Sequence, residues 1–487
     1  MKAKARAQAL IIGSGSGGAV TALELARGGM GVLVLEEGGR YGLEDYGYPA
    51  PEAMKKLYRR KGMTPILGSA SIGFVEGCCV GGSTEINSGF WQRPMPEVLL
   101  GWKSRYDLID ASAEQLEPHF EMIEKVLHVG LSQKDWPPST KVFAKGVEKM
   151  GWSFAEAPRA AHNCKSTNAC PSGCPRGAKQ GMSRTFIPLA EAAGAKIKPN
   201  CAVRRLIRNG SRIAGVLAEQ TNDDGSKNIV RIDADYVFVC AGAVQTPALL
   251  RQSGIKRNIG NTLSIHPMLK VVARYKEELN AEQSVLPLVQ VKEFQPDAIL
   301  AGSYYSLGHL ALLLSDNWPS NREDMKWHRY MAAYFAAVRG TGKGFVRPSF
   351  LDRSALARYK LSKNDLAGLS RGLARLCTLL LAGGAEEVYP CVFGLPSIKT
   401  QTQAMRWLNE TLPKRAISLT TVHAFSTCPM GERRELCAVD SFGKVFGFEN
   451  LYINDASMLP SSPGATPQAI IMALARRNAV HFKERRK

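Results

Sequence analysis

Gly13, Gly15 and Gly18 fill a G-x-G-x-x-G spacing within residues 9–39, ALIIGSGSGGAVTALELARGGMGVLVLEEGG, and Glu36 follows about 18 residues beyond the last of them. Each glycine has a mechanical task. The first allows a sharp turn, the second lets backbone approach a pyrophosphate, and the third lets a helix lie close on a strand. The helix that follows would aim its free N–H groups and positive dipole end at the phosphates. An acid at the position of Glu36 reaches the adenosine ribose hydroxyls. Ser16, in the turn, and Glu37, beside the acid, join this candidate cofactor set. The chemistry implied is that of a bound dinucleotide, and the motif alone admits NAD and FAD alike.

A second constellation invites a metal. His162, Cys164, Cys170 and Cys174 lie in HNCKSTNACPSGCPRGAKQG. Their C-x5-C-x3-C spacing lacks the paired C-x-x-C of zinc and iron–sulfur sites, and no fourth cysteine lies close. With two prolines and three glycines, the stretch reads as a fixed loop. No metal site is expected.

The elements that must hold these groups follow from periodicity. Leu10, Ile11 and Ile12 read as a buried parallel strand, 20–27 as a helix and 32–35 as the second strand of a βαβ unit. Residues 236–240 form another buried strand, running into a small-residue turn at Ala241 and Gly242. KIKPNCAVRRLIRNGSRIAGVLAE reads as strand, turn, strand around Asn209-Gly210. Residues 40–74 lack a clean period and are expected to form loops with a short helix around 54–60. Gly81, Gly82, Ser83 and Thr84 carry no large side chain and would let backbone lie against a flat ligand. Phe120, Ile123 and Val126 recur at three-residue steps, which predicts a helix over 117–127 with Pro118 in its first turn.

Residues 268–422 change character, with β-rich stretches VVARY and MAAYFAAV and the hairpin signal RGTGKGFV. One helix stands out there: Ser362 and Asp365 form a capping-box-like start, and Leu366, Leu369, Leu373, Leu376 and Leu380 follow at steps of three and four. Near the C-terminal end, 451–453 forms a strand with Asp455 and Ala456 at its end, where α/β sheets place ligands. A helix follows Pro467 and Gln468, and its N-terminus would favour negative charge.

Gly77, Val80, Gly81, Gly82, Ser83, Thr84, Ile86 and Asn87 resemble the first signature of the glucose–methanol–choline family of flavin oxidoreductases. GAVQTPALLRQSGI from Gly242 resembles its second signature, with Lys256 standing where a glycine is expected. GCPRGAK resembles a structural segment of some branches, and His266-Pro267 a segment returning toward the flavin; His266 itself reads as structural. The resemblance implies FAD rather than NAD, with the 81–87 loop covering the flavin and Asn87 near its pyrimidine side. It places Val203, on the strand beginning at Cys201, beside the adenine. It also implies that His423, opening HAFSTCPMG, is the catalytic base. Oxidising an alcohol removes the hydroxyl proton while the carbon-bound hydrogen leaves as hydride, so a base with a pKa near neutrality is the natural partner. Thr466, before Pro467, stands where the family places asparagine or histidine, a second hydrogen-bonding group on the substrate oxygen.

The expected fold is α/β. A Rossmann-like FAD-binding domain is assembled from 1–95, 185–267 and 423–487. A substrate domain of mixed or antiparallel sheet backed by helices takes 96–184 and 268–422, with the cysteine loop at 162–181.

The 487 residues are 45% hydrophobic and 22% charged, a globular composition. A net charge of +20 is dispersed, densest at 55–61 and in the terminal KERRK, and reads as a solubilising surface. Such a field also suits an anionic substrate, a membrane surface or nucleic acid. No apolar stretch reaches the roughly 18 residues of a membrane helix. The basic N-terminal run is followed by too short an apolar segment for a signal peptide, and the eleven cysteines read as reduced thiols. A cytoplasmic location is expected. The expected function is FAD-dependent oxidation of an alcohol, its substrate a sugar-like or other secondary-metabolite hydroxyl, its electron acceptor oxygen or another oxidant. One rival, motivated by Thr466, is a flavin-dependent lyase or decarboxylase on the same scaffold. The other, motivated by charge, is a non-catalytic basic binder of nucleic acid or membrane.

Overall fold

The structure is a computed structural model that describes residues 5–131, 135–351 and 354–486. The first four residues of the basic N-terminal run and the last lysine of the C-terminal one lie outside the described residues. Ala5–Ile12 is the middle of a seven-stranded sheet, flanked by Val32–Leu35 and then Lys196–Lys198 on one side and by Lys227–Val239 on the other. These strands run parallel. Parallel strands are covered on both faces, so their sequences are continuous apolar runs, and Leu10, Ile11, Val34, Val237 and Val239 are fully buried. Beyond them Arg212–Thr221 and Cys201–Asn209 turn antiparallel about Gly210, whose φ of +58° suits glycine. Leu451–Ile453 pairs in parallel with the end of Lys227–Val239. Helices Ser16–Arg27 and Gln468–Glu484 share this sheet's core.

The second sheet has nine strands. Its path runs Tyr58–Ile66, Ser71–Gly77, Ser418–Thr421, Met268–Tyr275, Met331–Val338, Ala298–Gly302, Val289–Val291 and Phe154–Glu156, with Ala385–Pro390 added beside Met268–Tyr275. Its main backing helix, Lys363–Ala382, starts where its sequence says: Ser362 Oγ accepts from Asp365 N and the Asp365 carboxylate accepts from Ser362 N. Leu369, Leu373, Leu376 and Leu380 are fully buried under the sheet. Ala456 packs against the cores of both sheets.

Several elements differ from expectation for local reasons. The helix expected over 117–127 spans Ala113–Val126, because a capping box between Ser112 and Gln115 starts it a turn earlier and leaves Pro118 inside it. The expected 54–60 helix is Ala50–Leu57, after which Tyr58 enters a strand. RGTGKGFV does not fold Met331–Val338 back on itself. Lys343–Pro348 pairs instead with Ala355–Lys360, and Thr341 is held by the Asp365 carboxylate. Two segments also sit across the expected domain division. Tyr58–Ile66 and Ser71–Gly77, within 1–95, belong to the second sheet. Pro96–Tyr106 and Ala113–Val126, within 96–184, bury Trp102, Leu116, Phe120 and Ile123 in the core of the first.

Candidate active site

The glycine turn leaves Ala5–Ile12 and hands over to the helix at Ser16, with Gly15 as its N-cap. At Gly13, whose φ is +99°, a side chain would collide with the Cys240 carbonyl; at Gly18 it would strike the carbonyl of Gly13. Gly17, not singled out by the motif, lies against the Asn454 carbonyl in the same way. Gly15 is different. Nothing among the described residues stands within 4 Å of where its Cβ would be, so its free face is the side on which a pyrophosphate can approach.

Glu36, 6% exposed, accepts from Ser14 N at 3.0 Å, Ser14 Oγ at 2.7 Å and Gly38 N at 3.0 Å. Burial raises its pKa against the opposing pull of these donors. Ser14 Oγ also accepts from Gly81 N at 3.0 Å, tying the first turn to the 81–84 loop. Glu37 pairs with Arg59 at 2.9 Å and stands 3.7 Å from Arg204, the neighbour of Val203. Ser83 Oγ accepts from Gly77 N at 2.9 Å, which closes the loop on itself.

A cavity of about 2070 Å³ runs from this cradle to His423. That is more than the roughly 300–1,000 Å³ of an ordinary small-ligand pocket and leaves room for a cofactor and a substrate. Of the site residues expected from the sequence, all but Gly18 and Gly81 line it. Gly18 is covered by Gly13, and Gly81 is turned toward the Glu85 side chain.

At the far end, Asn87 Nδ2 donates to Gln468 Oε1 at 2.6 Å, joining the 81–87 loop to the first residue of the terminal helix. The Asp455 carboxylate accepts from Gly242 N at 2.9 Å, Thr246 Oγ1 at 2.5 Å, Ser457 N at 2.7 Å and Ser457 Oγ at 2.5 Å. Both its oxygens are engaged by protein donors. Its side chain therefore fixes the turns at 241–242 and 455–457, of which residues 241, 242, 455 and 456 line the cavity. Thr466 N donates to Gln92 Oε1 at 3.2 Å, and Gln92 in turn donates to Gln290. The Thr466 hydroxyl oxygen is buried without a hydrogen-bond partner among the described residues.

His423 follows the strand Ser418–Thr421, and the chain then turns through Ser426, whose φ is +66°. That turn is strapped down: Thr262 Oγ1 donates to Ser426 O at 2.6 Å, Thr427 Oγ1 to Ala243 O at 2.7 Å, and Cys428 N to Ser457 O at 2.8 Å. Ser264–Ile265 pairs with Ala424–Phe425 and so brings His266 against His423. Their Nδ1 atoms are 3.0 Å apart, and His266 Nε2 lies 2.6 Å from Ser462 Oγ. Burial pushes the His423 pKa down to about 4. It lowers that of His266 further, with help from the neighbouring His423 and Arg339.

His266 and Ser462 are thus site residues that the sequence reading missed. His-Pro reads as a structural dipeptide, and no spacing reveals a partner 157 residues away. In the cysteine loop the chain's own cations fill the polar interior. Arg159 donates to Cys164 Sγ at 3.8 Å and Cys170 Sγ at 3.4 Å, and Lys179 Nζ donates to the carbonyls of Glu85, Asn87 and Cys170.

The cradle's open face at Gly15, the acid at the strand end and the long cavity fit a flavin dinucleotide, the cofactor of a flavin-dependent oxidoreductase. The sequence model of the family described as GMC oxidoreductase matches residues 9–268 with its N-terminal part and 343–475 with its C-terminal part. The chain belongs to the GMC oxidoreductase family, and its cofactor is FAD. An uncharacterized GMC-type oxidoreductase of Sinorhizobium fredii is 37% identical over 97% of this chain and 94% of its own. The long-chain-alcohol oxidase FAO3 of Arabidopsis thaliana is 26% identical over 96% of this chain and 66% of its own. In fold, the crystal structure of pyridoxine 4-oxidase is similar at a TM-score of 0.74 and 17% identity, covering 98% of this chain and 99% of that one. No helix among the described residues is long and apolar enough to cross a membrane.

Proposed function

We propose that this chain oxidises an alcohol to a carbonyl compound, with His423 as the group that accepts the hydroxyl proton and Thr466 as a hydrogen-bonding group to the same oxygen. The observation that carries the reading is the chain His423–His266–Ser462, whose two histidines line the cavity that begins at the glycine cradle. FAD, when bound, supplies the acceptor for the hydride that leaves the carbinol carbon. Gly13, Gly15, Ser16 and Glu36 would hold its dinucleotide end, with Gly18 packing the helix against Gly13, and Asn87, Ala456, Pro467 and Gln468 would hold the ring end.

A 3.0 Å contact between two Nδ1 atoms requires one to donate and the other to accept. When His423 Nδ1–H donates to His266, His266 Nε2–H donates to Ser462 Oγ, and His423 Nε2 is left with a free lone pair for the substrate proton. In the opposite arrangement Ser462 donates inward and His423 Nε2 carries hydrogen. The relay thus sets the tautomer that makes His423 a base. Burial favours the neutral ring, so the base is unprotonated at neutral pH.

The apolar part of the chamber beyond the histidines is walled by Met268, Phe335, Ala337 and Leu419, with Lys270, His309 and Asp316 on the same lining. Such a wall suits an alcohol with a hydrocarbon body better than the sugar-like hydroxyl expected from the sequence, in keeping with the similarity to a long-chain-alcohol oxidase. Turnover of an alcohol panel with oxygen, then with an artificial dye as acceptor, tests the proposal. Carbonyl product matched by acceptor consumption supports it. Product formed without acceptor consumption would favour the lyase reading, for which a threonine at 466 in place of the family's asparagine or histidine is the motive.

A further inference from the structure

The strand Met268–Tyr275 leaves His266 and runs along the chamber. Side chains alternate along a strand. Met268 and Lys270 line the cavity with His266, while Leu269 and Val271 are fully buried. The neighbouring strand runs antiparallel, with Thr420 opposite Met268, and leads back to His423. These two strands form a track from the histidine pair to Lys270, which stands four residues from His266, or roughly 13 Å along an extended chain.

Lys270 Nζ is 3.1 Å from His309 Nε2, and His309 Nδ1 is 2.7 Å from the Tyr304 carbonyl. A carbonyl only accepts, so Nδ1 carries the ring proton and Nε2 accepts from the ammonium. Burial, reinforced by the charge of Lys270, lowers the His309 pKa to about 3 and keeps the ring neutral. Lys270 forms no ion pair among the described residues. Two acids of the same cavity are otherwise engaged: Asp316 accepts from Ser418 Oγ at 2.7 Å, and Glu282 is 3.2 Å from His328 Nδ1. Burial lowers the Lys270 pKa to about 8, so the amine is still mostly protonated at neutral pH. With one neutral acceptor, this half-buried ammonium keeps two N–H groups for a ligand. Charge-assisted hydrogen bonds to a carboxylate are the strong way to satisfy them.

We propose that Lys270, oriented by His309, is an anion-binding subsite of the chamber, and that the preferred alcohol carries a carboxylate at the end remote from its hydroxyl. The substrate class is an aliphatic hydroxy acid, its apolar middle lying along Met268 and Phe335. This rests on the reading of the chamber as a site of hydroxyl oxidation.

Two measurements on the FAD-loaded protein decide it. In the first, octanoate, which has no hydroxyl to oxidise, is titrated while the flavin absorbance spectrum is followed. Wild type shows a saturable perturbation, and Lys270→Met weakens it about ten-fold or more, the scale of one charged hydrogen bond. In the second, anaerobic flavin reduction is compared for ω-hydroxyoctanoate and octanol. The hydroxy acid has a kcat/KM about ten-fold higher, and Lys270→Met brings the ratio toward one. Equal octanoate binding by wild type and variant, or a wild-type ratio of one or less, overturns the subsite. Bleaching by neither alcohol would tell against the oxidation reading itself, while the octanoate titration still judges Lys270. Should Lys270→Met lose its FAD, the wild-type ratio judges it alone.

Discussion

His423 and His266 meet through their Nδ1 atoms at 3.0 Å with their rings 82° apart, an edge-on contact that leaves His423 Nε2 outside the pair on a residue that lines the cavity. If His423 is the base, His423→Ala lowers flavin reduction by about two to four orders of magnitude, the range of general-base catalysis. His266→Asn keeps the base but loosens its tautomer. It is expected to lower the limiting reduction rate about ten- to a hundred-fold with little change in apparent substrate affinity. Stopped-flow reduction of both variants checks this, and equal rates in wild type and His423→Ala would remove His423 from the chemistry.

The glycine cradle separates folding from binding. Gly15 has ordinary dihedrals, φ −67° and ψ −168°, and open space above it. Gly15→Ala is therefore expected to fold with an unchanged melting temperature when stripped of FAD, yet to bind FAD at least about ten-fold more weakly. Gly18→Ala presses a methyl group into the Gly13 carbonyl and is expected to destabilise the protein itself, by about 1–3 kcal/mol or more. Thermal unfolding with and without FAD distinguishes the two.

Thr466 is a polar group in want of a partner. Thr466→Val keeps its shape and removes a buried, unpaired hydroxyl. The FAD-free protein is expected to be as stable as wild type or more stable by about 1 kcal/mol, while the kcat/KM for an alcohol falls about ten-fold. An unchanged kcat/KM would release Thr466 from contact with the substrate.

Burial sets the pH response. The His423 pKa is pushed from an ordinary 6.5 to about 4, so the free base persists to lower pH than usual. The acid limb of flavin reduction is expected near pH 4 rather than near 6.5. The sign for stability follows. Between these pH values the unfolded chain takes up a proton that the folded one refuses, so the contribution is complete above pH 6.5 and is lost as pH falls toward 4. Melting temperature against pH should fall less steeply in this window for His423→Ala.

Much of this arrangement was legible in the sequence because it is local. The turn at 13–18, the acid at 36 and the capped helix at 362 depend on neighbours in the chain, and the structure forms them. Asn87 and Gln468 were each legible in separate motifs, but the hydrogen bond that joins them is made only in the fold. What stayed hidden is non-local. His266 gains its partner only when Ser264–Ile265 pairs with Ala424–Phe425. Lys270 becomes a chamber residue only through the face that its strand presents. Pro118 misled because its rule concerns a helix start, and Ser112 had already supplied one.

The most direct test is anaerobic mixing of the FAD-loaded protein with aliphatic alcohols, including an ω-hydroxy acid, while the flavin band is recorded for wild type and His423→Ala. The account predicts rapid bleaching of wild type, one carbonyl formed per flavin, and bleaching slowed by at least about a hundred-fold in the variant. A flavin that stays oxidised with every alcohol while product still forms, or a variant that bleaches as fast as wild type, would contradict it.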